Sequence, residues 1–271
     1  MKKTILSLLI CAATIGYAEV GSVISFFRAG TSSMYKGFFG MARDTNFVYF
    51  VHYDVMYNDD YIKVCSPEGG RVRNVRINIG ASPWSADSAH LGEGYLALFG
   101  PSGIMVVDKT TGSTVTSFTA YGKRGCLWDG VYYYTADRQG GTFHLYTSHG
   151  SSAGSWRPKG WPAALTDVGG CGFSRYACKA EGRYLIASPS RNDQPYCIAD
   201  IDTGSLIATW NMYRSSLGGV CGLAYPRSYG DSYWLMLYVG ANTYWVYQVD
   251  IDGRHVGVVP ASVGKIKALH R

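Results

Sequence analysis

Two aspartates, Asp87 and Asp167, are the best placed of this chain's carboxylates for general acid–base chemistry. Glycoside cleavage needs two carboxyl groups facing each other, ~5–5.5 Å apart for retention or ~6.5–9.5 Å for inversion. The four glutamates, Glu19, Glu68, Glu93 and Glu181, fall at the start of the exported chain or in turns. Asp87 and Asp167 instead precede or begin segments that read as inner strands, so a glycoside hydrolase or lyase would use them. Nucleophilic catalysis has less support, because no G-x-S-x-G elbow is present and the histidines show no pattern linking them to a Ser or Cys. His52, His144 and His255 lie inside strand patterns and read as packed or edge residues. The Asp200/Asp202 and Asp250/Asp252 pairs resemble calcium loops but lack the third acid and the distal Glu. They read, with Asp108 and Asp129, as turn formers whose side chains cap nearby backbone amides. No metal site and no cofactor are expected.

A second group of residues could bind rather than react. Tyr35 with Lys36, Trp84, Tyr121 with Lys123 and Arg124, Lys159 with Trp161, and Tyr213 with Arg214 each lie on a link leading into an inner strand. Aromatic rings stack on apolar sugar faces, and basic side chains hold carboxylates, sulfates or phosphates. The competing expectation is that such rings simply plug the axis of the fold, since the chain holds 22 Tyr and 7 Trp. Links between the middle strands mix charges at Asp54, Asp59, Asp60, Asp137, Arg138, Arg191 and Asp193. That mixture fits a specific polar ligand or protein better than a purely electrostatic partner.

The elements that must position these residues repeat. Turn glycines recur at Gly70, Gly112, Gly150, Gly204 and Gly253, at intervals of 42, 38, 54 and 49 residues. The phrases VVDKTTGSTVTSF (Val106 to Phe118) and IADIDTGSLIATW (Ile198 to Trp210) are nearly the same, and VDIDGRHVGVV is a shortened copy. Spacing of this kind is the signature of a propeller blade, a four-stranded antiparallel sheet. Inner-strand signals such as Gly40-Met41-Ala42, Gly172-Phe173-Ser174 and Gly222-Leu223-Ala224 precede aromatic strands that are apolar on both faces. The expectation is an all-β propeller of five blades, at residues 28–78, 79–118, 119–156, 157–210 and 211–259. The segment GSVISFF from Gly21 supplies a sixth outer-strand phrase, so the N-terminal strand is expected to join the last blade and close the ring.

Residues 1–18 read as a secretory signal peptide: Lys2 and Lys3, an apolar run from Ile5 to Ile15, then Gly16 and Ala18. Residues 19–271 form the single expected propeller domain, exported to the periplasm or outside. Without the leader the chain has 23 basic and 19 acidic residues, too mild a balance for a nucleic-acid footprint. Six cysteines remain, and in an exported chain they favour disulfides, with Cys171, Cys178, Cys197 and Cys221 as candidates for at least one bridge.

The recurring order of approach, G-L-A or C-L-W-D-G, aromatic strand, turn, D-x-x-T-G and a strand ending in Phe or Trp resembles secreted bacterial β-propeller repeat proteins. It looks broadly like the YVTN, NHL and PQQ-like repeat group, although the PQQ-type tryptophan docking motif is absent. The resemblance implies architecture and is nearly silent on activity. The expected role is a non-enzymatic binding or scaffold propeller that recognises a glycan or surface protein, with the carbohydrate-active enzyme as the alternative.

Overall fold

Each repeated phrase alternates a buried aromatic run with a glycine turn, and each becomes one antiparallel sheet. A computed structural model describes residues 20–21, 23–31, 36–44, 46–54, 60–78, 88–91, 94–100, 103–121, 124–137, 141–165, 168–189, 194–211, 220–224, 233–238 and 243–251. Of these, 23–26, 31, 36–39, 53–54, 88–91, 124–126, 169, 220–224 and 233–238 are described by backbone alone. Strand β1 (Val23–Thr31) opens the chain of described strands. The first sheet then runs β2 (Lys36–Arg43), β3 (Val48–Asp54), β4 (Tyr61–Cys65) and β5 (Arg71–Arg76). The second is β6 (Ser88–Leu91), β7 (Tyr95–Gly100), β8 (Gly103–Asp108) and β9 (Thr114–Phe118). The third holds β10 (Arg124–Trp128), β11 (Tyr133–Ala136), β12 (Phe143–Tyr146) and β13 (Ser152–Trp156). The fourth holds β14 (Val168–Ala177), β15 (Ala180–Pro189), β16 (Tyr196–Asp200) and β17 (Ser205–Trp210). Strands β18 (Val220–Ala224), β19 (Tyr233–Tyr238) and β20 (Thr243–Val249) form the fifth, whose outermost strand is β1.

The described residues thus make five four-stranded sheets and no helix. Their first strands pack in a closed order, β2 on β6, β6 on β10, β10 on β14, β14 on β18 and β18 back on β2. This is a β-propeller. Its ring closes as the sequence leads one to expect: β1 pairs antiparallel with β20, from Val23 opposite Val249 to Thr31 opposite Thr243. The segment 253–259 lies outside the described residues.

Burial follows the interfaces between sheets. Tyr49, Ile62, Leu96 and Val107 fill the space between the first and second sheets. Ala97, Ile104, Tyr133 and Tyr146 fill the next, and Phe143, Trp161, Phe173 and Leu185 the one after. Tyr196, Trp210, Tyr247 and Val249 join the fourth sheet to the fifth, while Phe27, Phe50, Met41 and Val246 join the fifth to the first. Each inner strand therefore needs apolar residues on both faces, which is why the aromatic strands do not alternate with polar positions.

The turn glycines have a second task. Gly69, Gly112, Gly150 and Gly204 all have positive φ, between 69° and 92°, at the turn before an outermost strand. Gly69 lies against Phe27, Gly150 against Phe118 and Gly204 near Trp156, each ring belonging to the outer strand of the preceding sheet. The phrase-ending aromatic of one blade thus seats on the turn of the next. In the first sheet the left-handed residue is Gly69 rather than Gly70, one position earlier than the sequence pattern placed it. The fifth sheet has its turn split between two distant segments: the Gly21 amide donates to the Asp250 carbonyl at 2.7 Å, as the Gly112 amide donates to Asp108 at 2.8 Å. Gly21, with φ 95°, then receives Trp210 as its aromatic neighbour.

Three of the four candidate cysteines can be placed relative to one another. Cys171 and Cys197 flank Ala187 on opposite sides, so two strand spacings, about 10 Å, separate them, too far for a bridge. Cys178 sits at the β14–β15 turn, seven positions along from Cys171, with φ 52° and its amide donating to the Ile251 carbonyl at 2.9 Å. None of Cys171, Cys178 and Cys197 can therefore bridge to another of the three. Cys65 and Cys197 are buried free thiols, and burial pushes the Cys197 thiol up to about 12. The side chain of Cys221 lies outside the description.

Candidate functional site

The links entering the inner strands were expected to carry the ligand-binding residues, and three of the proposed side chains can be placed. Tyr121 follows β9 and precedes β10. Its backbone is held at both ends: its amide donates to the Tyr146 hydroxyl at 2.6 Å, and its carbonyl accepts from the Thr135 hydroxyl. Its ring is nevertheless 76% exposed, the most open large apolar side chain among the described residues. The backbone that presents this ring is already ordered by two buried partners.

Trp161 and Lys159 do not join it. Trp161 is 8% exposed and packs edge-on to Phe143, with ring centroids 5.5 Å apart. Its indole N–H donates to the Leu165 carbonyl at 3.3 Å, and the ring leaves no room for a side chain at Gly141. Trp161 is an interior residue packed between the third and fourth sheets. Lys159 is exposed, but it pairs with Ser205 at the start of the outermost strand β17. Its amide donates to Gly204 and its carbonyl accepts from Leu206, so it belongs to the rim of the fourth blade, away from the ring of inner strands.

Lys36 opens β2 and Arg124 opens β10, as the sequence implied, with only their backbones described. Tyr35, Trp84, Lys123, Tyr213 and Arg214 lie outside the described residues, as do Asp87 and Asp167. The last two directly precede β6 and β14, the inner strands of two sheets that have another between them. Among the middle-strand links, Asp60 is buried at 4% exposure, and its carbonyl accepts from the Ile77 amide at 3.0 Å. It ties two links together and presents no open charge. His52 is buried and stacked on Tyr61 at 4.2 Å, the packed role its strand pattern indicated.

The turn aspartates behave as capping chemistry requires. One Asp108 oxygen accepts from the amides of Thr110 and Thr111 at 2.8 and 2.7 Å, and one Asp200 oxygen accepts from Asp202 and Thr203. The Thr111 and Thr110 amides hold the Asp108 carboxyl below its ordinary range. These bonds are the side-chain-to-backbone turn chemistry that the sequence indicated.

Two further aspartates do more than cap. Asp129 accepts from the amides of Val131 and Tyr132, both at 2.7 Å, and from the Tyr134 hydroxyl at 2.9 Å. Its other contact is an ion pair with Arg183 of the next blade, whose second nitrogen reaches Asp202 at 2.7 Å. Asp44 repeats the arrangement with the Asn46 and Phe47 amides, the Tyr49 hydroxyl at 2.6 Å and Lys109 of the next blade at 2.7 Å. Burial drives the Asp44 carboxyl up, but the bonds from Lys109, Tyr49, Asn46 and Phe47 together outweigh it and hold the group at about 2. Burial, with the neighbouring aspartate, raises the phenols of Tyr49 and Tyr134. Burial lowers the Arg183 guanidinium, but Asp129 and Asp202 more than offset this and raise it. The spacing Asp-x-x-aromatic-x-Tyr, at Asp44 to Tyr49 and Asp129 to Tyr134, was the available signal. Only the cation from the next blade had no local signature. These clusters fasten blades; they form no open carboxylate pair.

Among the described residues no group of His, Cys, Asp and Glu has the arrangement to hold a metal ion, and no helix is long and apolar enough to cross a membrane. No protein-family model and no curated protein matches the sequence. Among solved structures the chain is similar to a crystal structure of BBS1N in complex with ARL6DN, soaked with lead, at 12% identity and a TM-score of 0.43, covering 79% of this chain and 62% of that one. It is also similar to the WD40 beta propeller domain of Doa1, at 12% identity and a TM-score of 0.43, covering 76% of this chain and 62% of that one. The chain spans less than two thirds of the length of either. The assignment of this chain as a β-propeller rests on its own sheet order and closed ring of inner strands.

Proposed function

We propose that this chain is an exported binding or scaffold propeller of the bacterial repeat type, engaging a glycan or a surface protein through the links that enter its inner strands. The observation that carries the reading is Tyr121: a ring 76% exposed on a backbone pinned by Tyr146 and Thr135. A large exposed ring on an ordered backbone offers a face on which a sugar or a side chain can stack. Trp84, on the equivalent link one blade earlier in sequence, is the natural second ring, and Arg124 is the nearby base. Trp161 and Lys159 drop out of the ligand set.

The test is a glycan array and a surface-protein binding panel on the secreted chain, with Tyr121→Ala and Trp84→Ala beside the wild type. Both variants should lose about tenfold or more in affinity, the loss of one stacking ring, with unchanged melting temperature. Full binding by both variants refutes the assigned face.

A further inference from the structure

Two seams between neighbouring sheets are closed by a cation from the following sheet. Lys109 of the second sheet reaches Asp44 of the first at 2.7 Å and lies over the Tyr49 ring, 5.4 Å from its centroid. Arg183 of the fourth sheet reaches Asp129 of the third. The seam between the second and third sheets is built otherwise. Val131 stands where Arg183 does in the fourth sheet, each two residues before a strand residue, Tyr133 or Leu185, that faces the preceding sheet. The turn that carries Lys109 is one residue shorter in the third sheet, Thr147-Ser148-His149-Gly150, and holds no Lys or Arg. On the other side of the seam, Ala97 takes the place of Tyr49 and Tyr134.

The side chains at this end of the seam are correspondingly open. Tyr95 is 41% exposed, whereas Phe47 and Tyr132, at the same place in the first and third sheets, are partly buried against their own seams. Val131 is 54% exposed. Asp108 lies directly across from Tyr95 in the β7–β8 register, on the face that Ala97, Phe99, Ile104 and Val106 turn toward the third sheet. The amides it caps hold its carboxyl below the ordinary range, so it is charged while it caps. A Cβ added at Gly94 or Gly130 would meet nothing within 4 Å, so the turns beside Tyr95 and Val131 leave the approach clear. A tyrosine face, a carboxylate and an aliphatic side chain, with no cation from the next sheet, suit one kind of occupant.

We propose that this open end of the second seam is a docking pocket for a basic side chain, arginine above all, presented by a partner protein. Its charge lies over Tyr95 in the field of Asp108, and its methylene stem packs on Val131. The partner thus supplies from outside what Lys109 and Arg183 supply within the chain. The pocket sits at the ends of the sheets opposite the links that enter the inner strands, so it is separate from the Tyr121 face.

The probe is n-butylguanidinium, titrated into the isotope-labelled chain at about 0.15 M salt while backbone amide shifts are followed by NMR. The comparator is n-butylurea, of the same shape and uncharged. The amides of Tyr95 and Val131 should shift saturably with the guanidinium and not with the urea. Tyr95→Ala should weaken binding at least about tenfold, and Asp108→Asn, which keeps the cap, at least about threefold. Tyr95→Phe, which keeps the ring, should bind as the wild type does. Val131→Arg should abolish binding by filling the pocket from within, as Arg183 fills the next seam. Tyr121→Ala should change nothing here, which keeps this result distinct from the one at the Tyr121 face. Melting temperatures check that each variant is folded. The proposal is overturned if no saturable shift appears or if the urea shifts the same amides equally. It is also overturned by undiminished binding in Tyr95→Ala or Val131→Arg, or by loss of binding in Tyr95→Phe.

Discussion

Replacing Asp129 by Ala should be among the most damaging single polar changes in the chain. Its side chain is fully buried and gathers four donors: two amides, the Tyr134 hydroxyl and the Arg183 guanidinium. The Val131 and Tyr132 amides sit at a turn where water can replace the lost acceptor, so they contribute little. Tyr134 is 2% exposed, and its hydroxyl left without an acceptor costs about 1–3 kcal/mol. Arg183 keeps Asp202 but loses its buried partner, and breaking such a pair brings the total to about 3–5 kcal/mol. For a domain of this size that lowers the melting temperature by roughly 10 °C. Urea unfolding gives the cleanest measurement, read as a shift of midpoint at constant slope. Asp108→Ala is the control, since its capped but exposed carboxylate lacks both the hydroxyl and the cation. A double-mutant cycle of Asp129→Ala with Tyr134→Phe should show coupling of at least about 1 kcal/mol, because removing the hydroxyl relieves most of the orphaning. A loss below about 1 kcal/mol for Asp129→Ala, or strict additivity in the cycle, would refute this account of how the third and fourth blades are fastened.

Three other outcomes follow from the same geometry. Asp44 titrates at about 2 in the folded chain against an ordinary 3.8, so its stabilising share is complete above pH 4 and is lost as the pH falls toward 2. Urea midpoints across that window should fall further for the wild type than for Asp44→Asn, by about 1–2 kcal/mol after allowing for solvent screening; parallel falls contradict the tie to Lys109. Gly112→Ala should cost more than Gly130→Ala in thermal melts. Both have positive φ, but a methyl at Gly112 strikes the Arg76 carbonyl whereas the space at Gly130 is empty, and equal costs would show that the turn does not press on the neighbouring blade. Trp161→Ala should destabilise by about 3–5 kcal/mol as a core truncation, and an unchanged melting temperature would return this ring to the ligand-binding set.

The blades were legible because a propeller repeats one solution, and each repeat leaves the same marks: a glycine where the turn needs positive φ, an aspartate two or three residues before the amides it caps, an aromatic at the end of the phrase. Asp108, Asp200 and Gly112 do what their local sequence says, since their partners are within four residues. Gly69 was displaced by one because Gly69 and Gly70 are adjacent and only packing on Phe27 distinguishes them. Trp161 misled for a different reason. Its link reads like the others, yet the strand bridge from Lys159 to Ser205 carries the chain along the fourth blade and turns the indole inward. The cysteines cluster in sequence, but pairing through Ala187 sets two of them on opposite sides of one strand. Partners supplied by the next blade, Lys109 and Arg183, obey no spacing rule, because the distance between blades along the chain varies with each link.

The split turn at Gly21 and Asp250 sets the order of assembly. Val23 faces Val249, so the outer strand of the fifth sheet is made first and its partner more than two hundred residues later. Joining segments so far apart costs about 3 kcal/mol more chain entropy than closing an ordinary hairpin, a cost that disappears once the intervening blades have drawn the two ends together. The first four sheets, each local in sequence, should therefore form before β1 gains its place, and the amides of β1 should be the last to be protected in pulse-labelled hydrogen exchange. Until that step, β20 is an exposed edge and β1 an unpaired strand of the same register. Two nascent chains brought close together hold each other's missing piece.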